Sequence, residues 1–178
     1  MPDCWNFVCN AEPTYQYYQP KLYAGSYSPT SGDTSIIMVS STYTYSNYGN
    51  NSMIIFPRLT GDLKDMYLTF DYTQGNSTAS DAVLQLGYLT DASDASTFTL
   101  ITALPHMYYS DGGRSLNNEY YLSDYMEQSV TNGVLAFRFV SSSTSTYWAS
   151  VDNVKVMQAP ACRQPNHIMA TNITNNSA

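Results

Sequence analysis

The chain has 178 residues, with 14 acidic and 7 basic side chains and a formal net charge of −7. Only 12% of its residues are charged, whereas 43% are hydrophobic and 14% are aromatic. Nucleic-acid binding is disfavoured because phosphate neutralisation needs clustered Lys and Arg, and disorder is disfavoured by the aromatic content. No apolar run is long enough to span a membrane. We therefore expect one folded domain, or one domain with a fragment of a second.

The dominant pattern along the chain is an alternation of apolar and polar residues with period two, which indicates β-strands. Turns rich in Gly, Asn, Asp and Ser separate these segments. No βαβ alternation is present, and two stretches, 59–65 and 123–130, are expected to hold one helical turn each. About eight or nine strands predict an all-β, antiparallel β-sandwich. The predicted strands are 35–40, 53–56, 66–72, 82–90, 97–101, 120–125, 134–140 and 147–157.

The end of the chain differs from the rest. Pro160 and Pro165 disfavour both helix and ladder, and a short alternation then resumes before the last residue. We predict a β-sandwich domain over 1–157, followed over 158–178 by a linker and the truncated start of another β domain, or by a flexible tail.

The compartment is predicted from the ends of the chain and from its cysteines. The sequence begins without a signal peptide, so we expect either a cytosolic protein or a piece of an exported one. The scarcity of charges and the abundance of Ser, Thr, Asn and Tyr favour an exported protein. With the three cysteines Cys4, Cys9 and Cys162, a Cys4–Cys9 disulfide, a bridge from Cys162 to either, and three free thiols all remain open.

The segment Tyr147–Val156 (YWASVDNVKV) resembles the last strand of the jelly-roll domains found in Bacteroidetes surface proteins, the cleaved-adhesin and MAM-like group related to carbohydrate-binding modules. Weaker matches to these domains occur earlier in the chain, in the order expected of the family. The tail is similar to the start of a fibronectin type III domain. The earlier matches are Pro2–Trp5, Gly32–Ile36, Leu86–Asp91 and Ser96–Phe98.

The resemblance implies a jelly-roll topology and a non-catalytic module outside the cell or on its surface. It implies adhesion to a glycan or a host glycoprotein, with neighbouring domains in the same polypeptide as further partners. It also places a structural calcium ligand at Asp152. Asp33 is expected to contribute to that site, because Ca²⁺ prefers six to eight hard oxygen ligands. The alternative is that Asp152 caps a turn or accepts hydrogen bonds from neighbouring amides.

Aromatic side chains are the candidate ligand-binding groups, since the chain has 17 tyrosines and two tryptophans. Exposed rings can stack on the C–H faces of sugars while nearby polar groups bond the hydroxyls. A tyrosine in the middle of a strand more often covers a sheet face, whereas loops more often carry recognition. The predicted ligand-binding residues are Tyr45, Tyr48, Tyr108, Tyr109 and Trp148.

No catalytic residue is predicted. No Ser lies in a nucleophile-elbow context, and no two carboxylates can be placed across a groove, as glycoside hydrolysis requires. A Ser-His-Asp arrangement around His106 stays open. The alternative functions are a structural spacer without a ligand and a lectin-like sandwich glycoside hydrolase.

Overall fold

The fold is given by a computed structural model that describes residues 4–9, 19–24, 34–40, 51–74, 82–107, 114–142, 145 and 147–162. The described residues form ten β-strands and three single turns of 3-10 helix, at Leu63–Asp65, Ala95–Thr97 and Leu122–Asp124. In chain order the strands are β1 (Asn6–Cys9), β2 (Lys21–Ala24), β3 (Thr34–Ser40), β4 (Asn51–Ile55), β5 (Met66–Gln74), β6 (Ala82–Leu89), β7 (Phe98–Ala103), β8 (Arg114–Tyr121), β9 (Val134–Ser141) and β10 (Tyr147–Gln158).

The strands form two five-stranded sheets, and every observed pairing is antiparallel. Sheet A has the order β1-β4-β9-β6-β7, and sheet B has the order β2-β3-β10-β5-β8. From β3 to β6, and again from β8 to β10, successive strands alternate between the two sheets, as in a jelly roll. The predicted antiparallel β-sandwich is therefore confirmed.

The core lies between the sheets because alternate residues of each strand point inward. In β5, for example, Met66, Leu68, Phe70 and Tyr72 belong to the core. The Phe70 and Phe137 rings meet edge to face with centroids 4.8 Å apart, which joins the two sheets at the middle of the sandwich. A pair of rings in this geometry adds about 0.5–1.5 kcal/mol to the free energy of unfolding, beyond the contribution of their buried apolar area.

The outer face of sheet A is also covered. The segment after β6 folds back over it, and Ala92, Ala95 and Phe98 pack on a second cluster of buried side chains. Gly87 makes this possible, since a Cβ at that position would lie 2.3 Å from the Phe98 ring. The members of the buried cluster are Met53, Ile55, Leu89, Val134 and Ala136.

Two sequence predictions need correction. The strand predicted at 120–125 is wrong, because β8 ends at Tyr121 and the N–H groups of Tyr125 and Met126 both donate to the Leu122 carbonyl, which closes a turn. The predicted number of strands is too small, because β1 and β2 are only four residues long and show little alternation. For the cysteines, the sequence left several alternatives open, and the structure has the one in which Cys4, Cys9 and Cys162 are all free thiols.

Candidate functional site

The predicted aromatic binding residues and one predicted calcium ligand fall largely outside the described residues. Tyr45, Tyr48, Tyr108, Tyr109 and Asp33 belong to this group. The division of the chain at residues 157 and 158 also stays a prediction, because 163–178 lie outside the described part.

Trp148 and Asp152 lie in β10, within the sheet. Trp148 is half-buried and is the register partner of Val39 in β3. The two residues are four positions apart on one strand, so their backbones are separated by about 13 Å. The structure therefore does not bring them into one site.

Asp152 lies at an irregularity in β10, opposite Asp71 of β5. Its Oδ1 accepts a hydrogen bond of 2.8 Å from the N–H of Asn153, which has a left-handed backbone with φ 51°. Buried Asp71 accepts hydrogen bonds from the Asn117 N–H and, at 2.9 Å, from Asn153 Nδ2. Across the described ranges, no three His, Cys, Asp or Glu residues group in a way that would hold a metal ion. The calcium site at Asp152 and Asp33 thus stays a prediction.

His106 is the histidine of the Ser-His-Asp alternative. Its Nδ1 lies 3.4 Å from Gln74 Oε1. Beside it, Tyr72 Oη and Gln74 Nε2 both donate to the Pro105 carbonyl, at 2.8 and 3.3 Å. The hydrogen bond of 3.4 Å thus joins His106 to the side-chain amide of Gln74, which also bonds the Pro105 carbonyl.

One concave site is a groove of about 230 Å³ beside β7, the edge strand of sheet A. One wall is formed by β6 and β7, and the other by residues 125–130, which follow the turn after β8. Tyr125 is 45% exposed at this groove, whereas Met126 is buried. We refer to it as the Tyr125 groove. Its lining residues are Tyr88, Thr99, Leu100, Ile101, Tyr125, Met126, Glu127, Gln128 and Val130.

The Tyr125 ring is braced from behind by other aromatic rings. Its centroid lies 5.5 Å from that of Tyr120. Tyr120 in turn stacks on Phe70 in the core, with centroids 5.4 Å apart. The groove therefore presents a ring that is supported on one side and open to solvent on the other.

The wall 125–130 is also fixed by the turn that precedes β5. Asp62 Oδ1 accepts hydrogen bonds from the N–H groups of Val130, at 2.8 Å, and Lys64, at 3.0 Å. The Leu63 N–H donates to the Val130 carbonyl at 3.0 Å, and Lys64 Nζ donates to the Glu127 carbonyl at 2.8 Å. Hydrogen bonds to Ser129 and these amides lower the pKa of Asp62. The wall is thus held in place before any ligand arrives.

The chemistry of the Tyr125 groove suits a neutral, hydroxylated ligand. The open ring offers an apolar face, the Glu127 carboxylate accepts hydrogen bonds, and Gln128 and Thr99 both donate and accept them. None of the described lining residues carries a positive charge. A sugar ring has the matching features, namely an apolar C–H face and hydroxyls around its rim.

Sequence reasoning missed this site. A strand over 120–125 would place Tyr125 within a sheet, although a helical turn within 123–130 is also expected from the sequence. The available signal was the apolar pair Leu122 and Met126, spaced four apart around the polar Ser123-Asp124, which fits a helical turn better than a strand.

A second, flatter aromatic surface lies on the outer face of sheet B. Tyr67 and Tyr121 are register partners with ring centroids 4.5 Å apart. The next row along the strands places Thr69 between Glu119 and Lys155. Burial, together with a hydrogen bond to Glu119, raises the pKa of Tyr67 to about 12. The two rings share much of their surface with each other, so this face offers less open ring than Tyr125 does.

Comparison with known proteins finds solved structures with a similar fold but no match at the level of sequence. No protein-family model matches the chain, and no curated protein does either. The K1 cleaved adhesin domain of Lys-gingipain from Porphyromonas gingivalis is similar with a TM-score of 0.56 and 13% identity, covering 90% of this chain and 94% of that domain. The K3 cleaved adhesin domain of the same protein gives 0.55 and 13%, covering 88% and 92%.

Other solved structures are less similar to this chain. A family 61 carbohydrate-binding module in complex with β-1,4-galactotriose gives a TM-score of 0.47 and 8% identity, a similarity too weak to bear on the fold. Within the described part of the chain, no helix has the length and apolar character that crossing a bilayer requires. The resemblance inferred from the sequence is thus confirmed for the fold: this chain has the sandwich architecture of the cleaved adhesin domains.

Proposed function

We propose that this domain is a non-catalytic carbohydrate-binding and adhesion module whose Tyr125 groove takes neutral sugar residues. The observation that carries the proposal is the 45% exposed Tyr125 ring, which is held against Tyr120 beside Glu127 and Gln128. A large ring left open to water beside polar groups is an arrangement that ligand sites use and packed cores do not.

Binding would proceed without rearrangement of the protein. The sugar would lay its C–H face on Tyr125, while Glu127, Gln128 and Thr99 exchange hydrogen bonds with its hydroxyls. An acidic sugar would be disfavoured here, because its carboxylate would meet the Glu127 carboxylate, whereas the Lys64 ammonium is bonded to the Glu127 carbonyl and is not among the described lining residues. The braces on Tyr125 and on residues 125–130 would keep the entropic cost of ordering small.

Two observations favour this proposal over its rivals. A spacer without a ligand would have no need of an open, braced ring at a groove. A glycoside hydrolase needs two carboxylates on either side of the scissile bond, whereas Glu127 is the single carboxylate among the described lining residues.

We place the module outside the cell or on its surface, next to other domains of the same polypeptide, with a glycan or a host glycoprotein as its partner. The abundance of Ser, Thr, Asn and Tyr supports this placement, as does the similarity of its fold to adhesin domains. A structural calcium ion held by Asp152 and Asp33 is part of the proposal. Chelation should then lower the melting temperature, because an ion that binds only the native state stabilises it, and an unchanged melting temperature would count against the ion.

A glycan array, run with and without chelator, tests the binding function. We expect neutral glycans to bind the wild-type protein. Tyr125→Ala should lower the affinity by about tenfold or more, since aromatic contacts contribute about 1 kcal/mol beyond area burial and truncation also removes that area.

Two variants control for indirect effects. Tyr125→Phe keeps the ring and should keep most of the affinity, whereas Tyr67→Ala removes a ring from the other aromatic surface and should leave binding unchanged. Absence of any glycan signal under both conditions, or equal binding by Tyr125→Ala and wild type, would refute the proposal.

A further inference from the structure

Arg138 lies on the outer face of sheet A, in the central strand β9, away from the Tyr125 groove. Its guanidinium carbon is 3.9 Å from the centroid of the Phe98 ring, and its Nε donates a hydrogen bond of 2.8 Å to Gln85 Oε1. The side chain is only partly accessible to solvent. Stacking and hydrogen bonding therefore fix both the plane and the rotation of this guanidinium.

The hydrogen bond to Arg138 also determines which polar atom of the Gln85 side chain is left to contact a ligand. A guanidinium can only donate hydrogen bonds, so the atom of Gln85 facing Nε must be the amide oxygen. The amide nitrogen Nε2 is then the end of the Gln85 side chain that this bond does not use, and Gln85 and Arg138 are register partners on the same sheet face. Together the two side chains carry hydrogen-bond donors beyond the Nε–Oε1 bond, namely Arg138 Nη1 and Nη2 and Gln85 Nε2.

This donor set has no acidic partner within the part of the chain that the structure describes. Burial lowers the pKa of Arg138, and no nearby carboxylate offsets that effect. A partly desolvated guanidinium without a counter-charge gains more from an incoming anion than a fully hydrated one does. The planar fork of the guanidinium matches the two oxygens of a carboxylate.

We infer that Arg138 and Gln85 form a second binding site, which takes the carboxylate group of an acidic sugar. The site lies on the outer face of sheet A, and its donors complement a negative charge, whereas the Tyr125 groove contains Glu127. The domain would then bind two parts of a glycan that contains both neutral and acidic sugars: a neutral sugar ring at the Tyr125 groove and a hexuronic acid at Arg138.

A sugar fits this surface better than a protein side chain does. A protein interface needs an extended, largely apolar contact area around its charged groups. On this face Met53, Ile55 and Leu89 are 0–1% exposed, whereas Val83 and Val140, two positions along the strands from Gln85 and Arg138, are partly exposed. The surface beside Arg138 thus combines a few polar donors with a small apolar margin, which suits a small ligand that has both polar groups and an apolar face.

The test is a calorimetric titration of the protein with a trisaccharide of galacturonic acid. Its methyl ester, which lacks the charge, serves as the neutral counterpart. We expect the free acid to bind at least about tenfold more tightly than the ester, as charge-assisted bidentate hydrogen bonds are about twice as strong as neutral ones, and to bind less tightly at high ionic strength.

Gln85→Glu is the decisive variant, because it removes the Nε2 donor and supplies an internal carboxylate to Arg138. The fold should be kept, since the acceptor for Arg138 Nε remains, and affinity for the free acid should fall about tenfold or more. Arg138→Gln should have the same effect on binding. Asn132→Asp makes the same change of charge at an exposed position and should leave acid binding intact.

Several results would overturn the inference: no preference for the acid over its ester, equal acid binding by Gln85→Glu and wild type, or equal loss in Asn132→Asp. An equally tight interaction with an acetylated aspartyl peptide would also overturn it, by pointing to a protein partner. Tyr125→Ala should not change acid binding, so failure of this second site and failure of the groove are separately measurable.

Discussion

Tyr120 and Tyr125 are five residues apart and have opposite surroundings. Tyr120 is 9% exposed and stacks on Phe70, whereas Tyr125 is 45% exposed and contacts Tyr120 from the solvent side. The difference follows from the backbone, because Tyr120 is an inward-facing position of β8 and Tyr125 comes after the strand has ended. Residue type alone therefore does not separate a packing ring from a binding ring.

The burial of Tyr120 leads to a prediction about alkaline pH. Burial raises the pKa of Tyr120 to about 12, from a usual value of 10.0. Between these values the unfolded chain loses the phenolic proton while the folded protein keeps it, so the free energy of unfolding decreases as pH rises. The contribution is fully present below pH 10 and is lost as pH approaches about 12.

Urea unfolding at a series of alkaline pH values checks this. Tyr120→Phe cannot titrate at this position, so its free energy of unfolding should decrease less steeply than that of the wild type over this range. Tyr67 also has its pKa raised to about 12, so some alkaline dependence should persist in the variant. Identical slopes for the two proteins would contradict the assignment.

At the level of elements, the wall 125–130 depends on a residue that does not line the groove. Asp62 accepts hydrogen bonds from Val130 and Lys64. Asp62→Ala removes the acceptor of these partly buried N–H groups and the N-cap of the 3-10 turn Leu63–Asp65, which should cost about 0.5–2 kcal/mol of stability. We expect neutral-sugar affinity to decrease as well, because the wall loses its anchor.

Hydrogen exchange at the Val130 amide, together with sugar affinity, measures this effect. Exchange should become faster in Asp62→Ala, whereas Asp62→Asn keeps an acceptor oxygen and should restore most of the protection and affinity. If Asp62 contributed only to overall stability, Asp62→Ala would speed amide exchange throughout the sandwich and would leave sugar affinity unchanged under conditions where the protein is folded. That result would show that Asp62 does not position the wall.

Most of the long strands could be predicted from the sequence, and the reason is burial. In β5 and β9, alternate residues enter the core, so the pattern of side chains reports the strand directly. The edge strands are less regular because they are partly exposed, as the pattern of β8 shows. This explains why the strand near residue 120 was misplaced and why β1 and β2 were missed.

At the level of the whole molecule, the two sheets present different surfaces. The outer face of sheet A is covered in part by Phe98 and its neighbours and carries Arg138, whereas sheet B carries the Tyr67–Tyr121 pair. The Tyr125 groove forms only where β7 meets residues 125–130. These segments are more than 20 residues apart in the chain, so the groove depends on strand order and register, which alternation does not specify.

The proposed function requires that the described sandwich bind neutral sugars at the Tyr125 groove. Mapping of backbone amide chemical shifts by NMR, during titration with a neutral oligosaccharide that binds on the array, locates the bound sugar on the protein. We predict that the largest changes cluster at 99–101 and 125–130, on both walls of the groove. Changes centred on Tyr67 and Tyr121, or spread evenly over the sandwich without saturation, would contradict it.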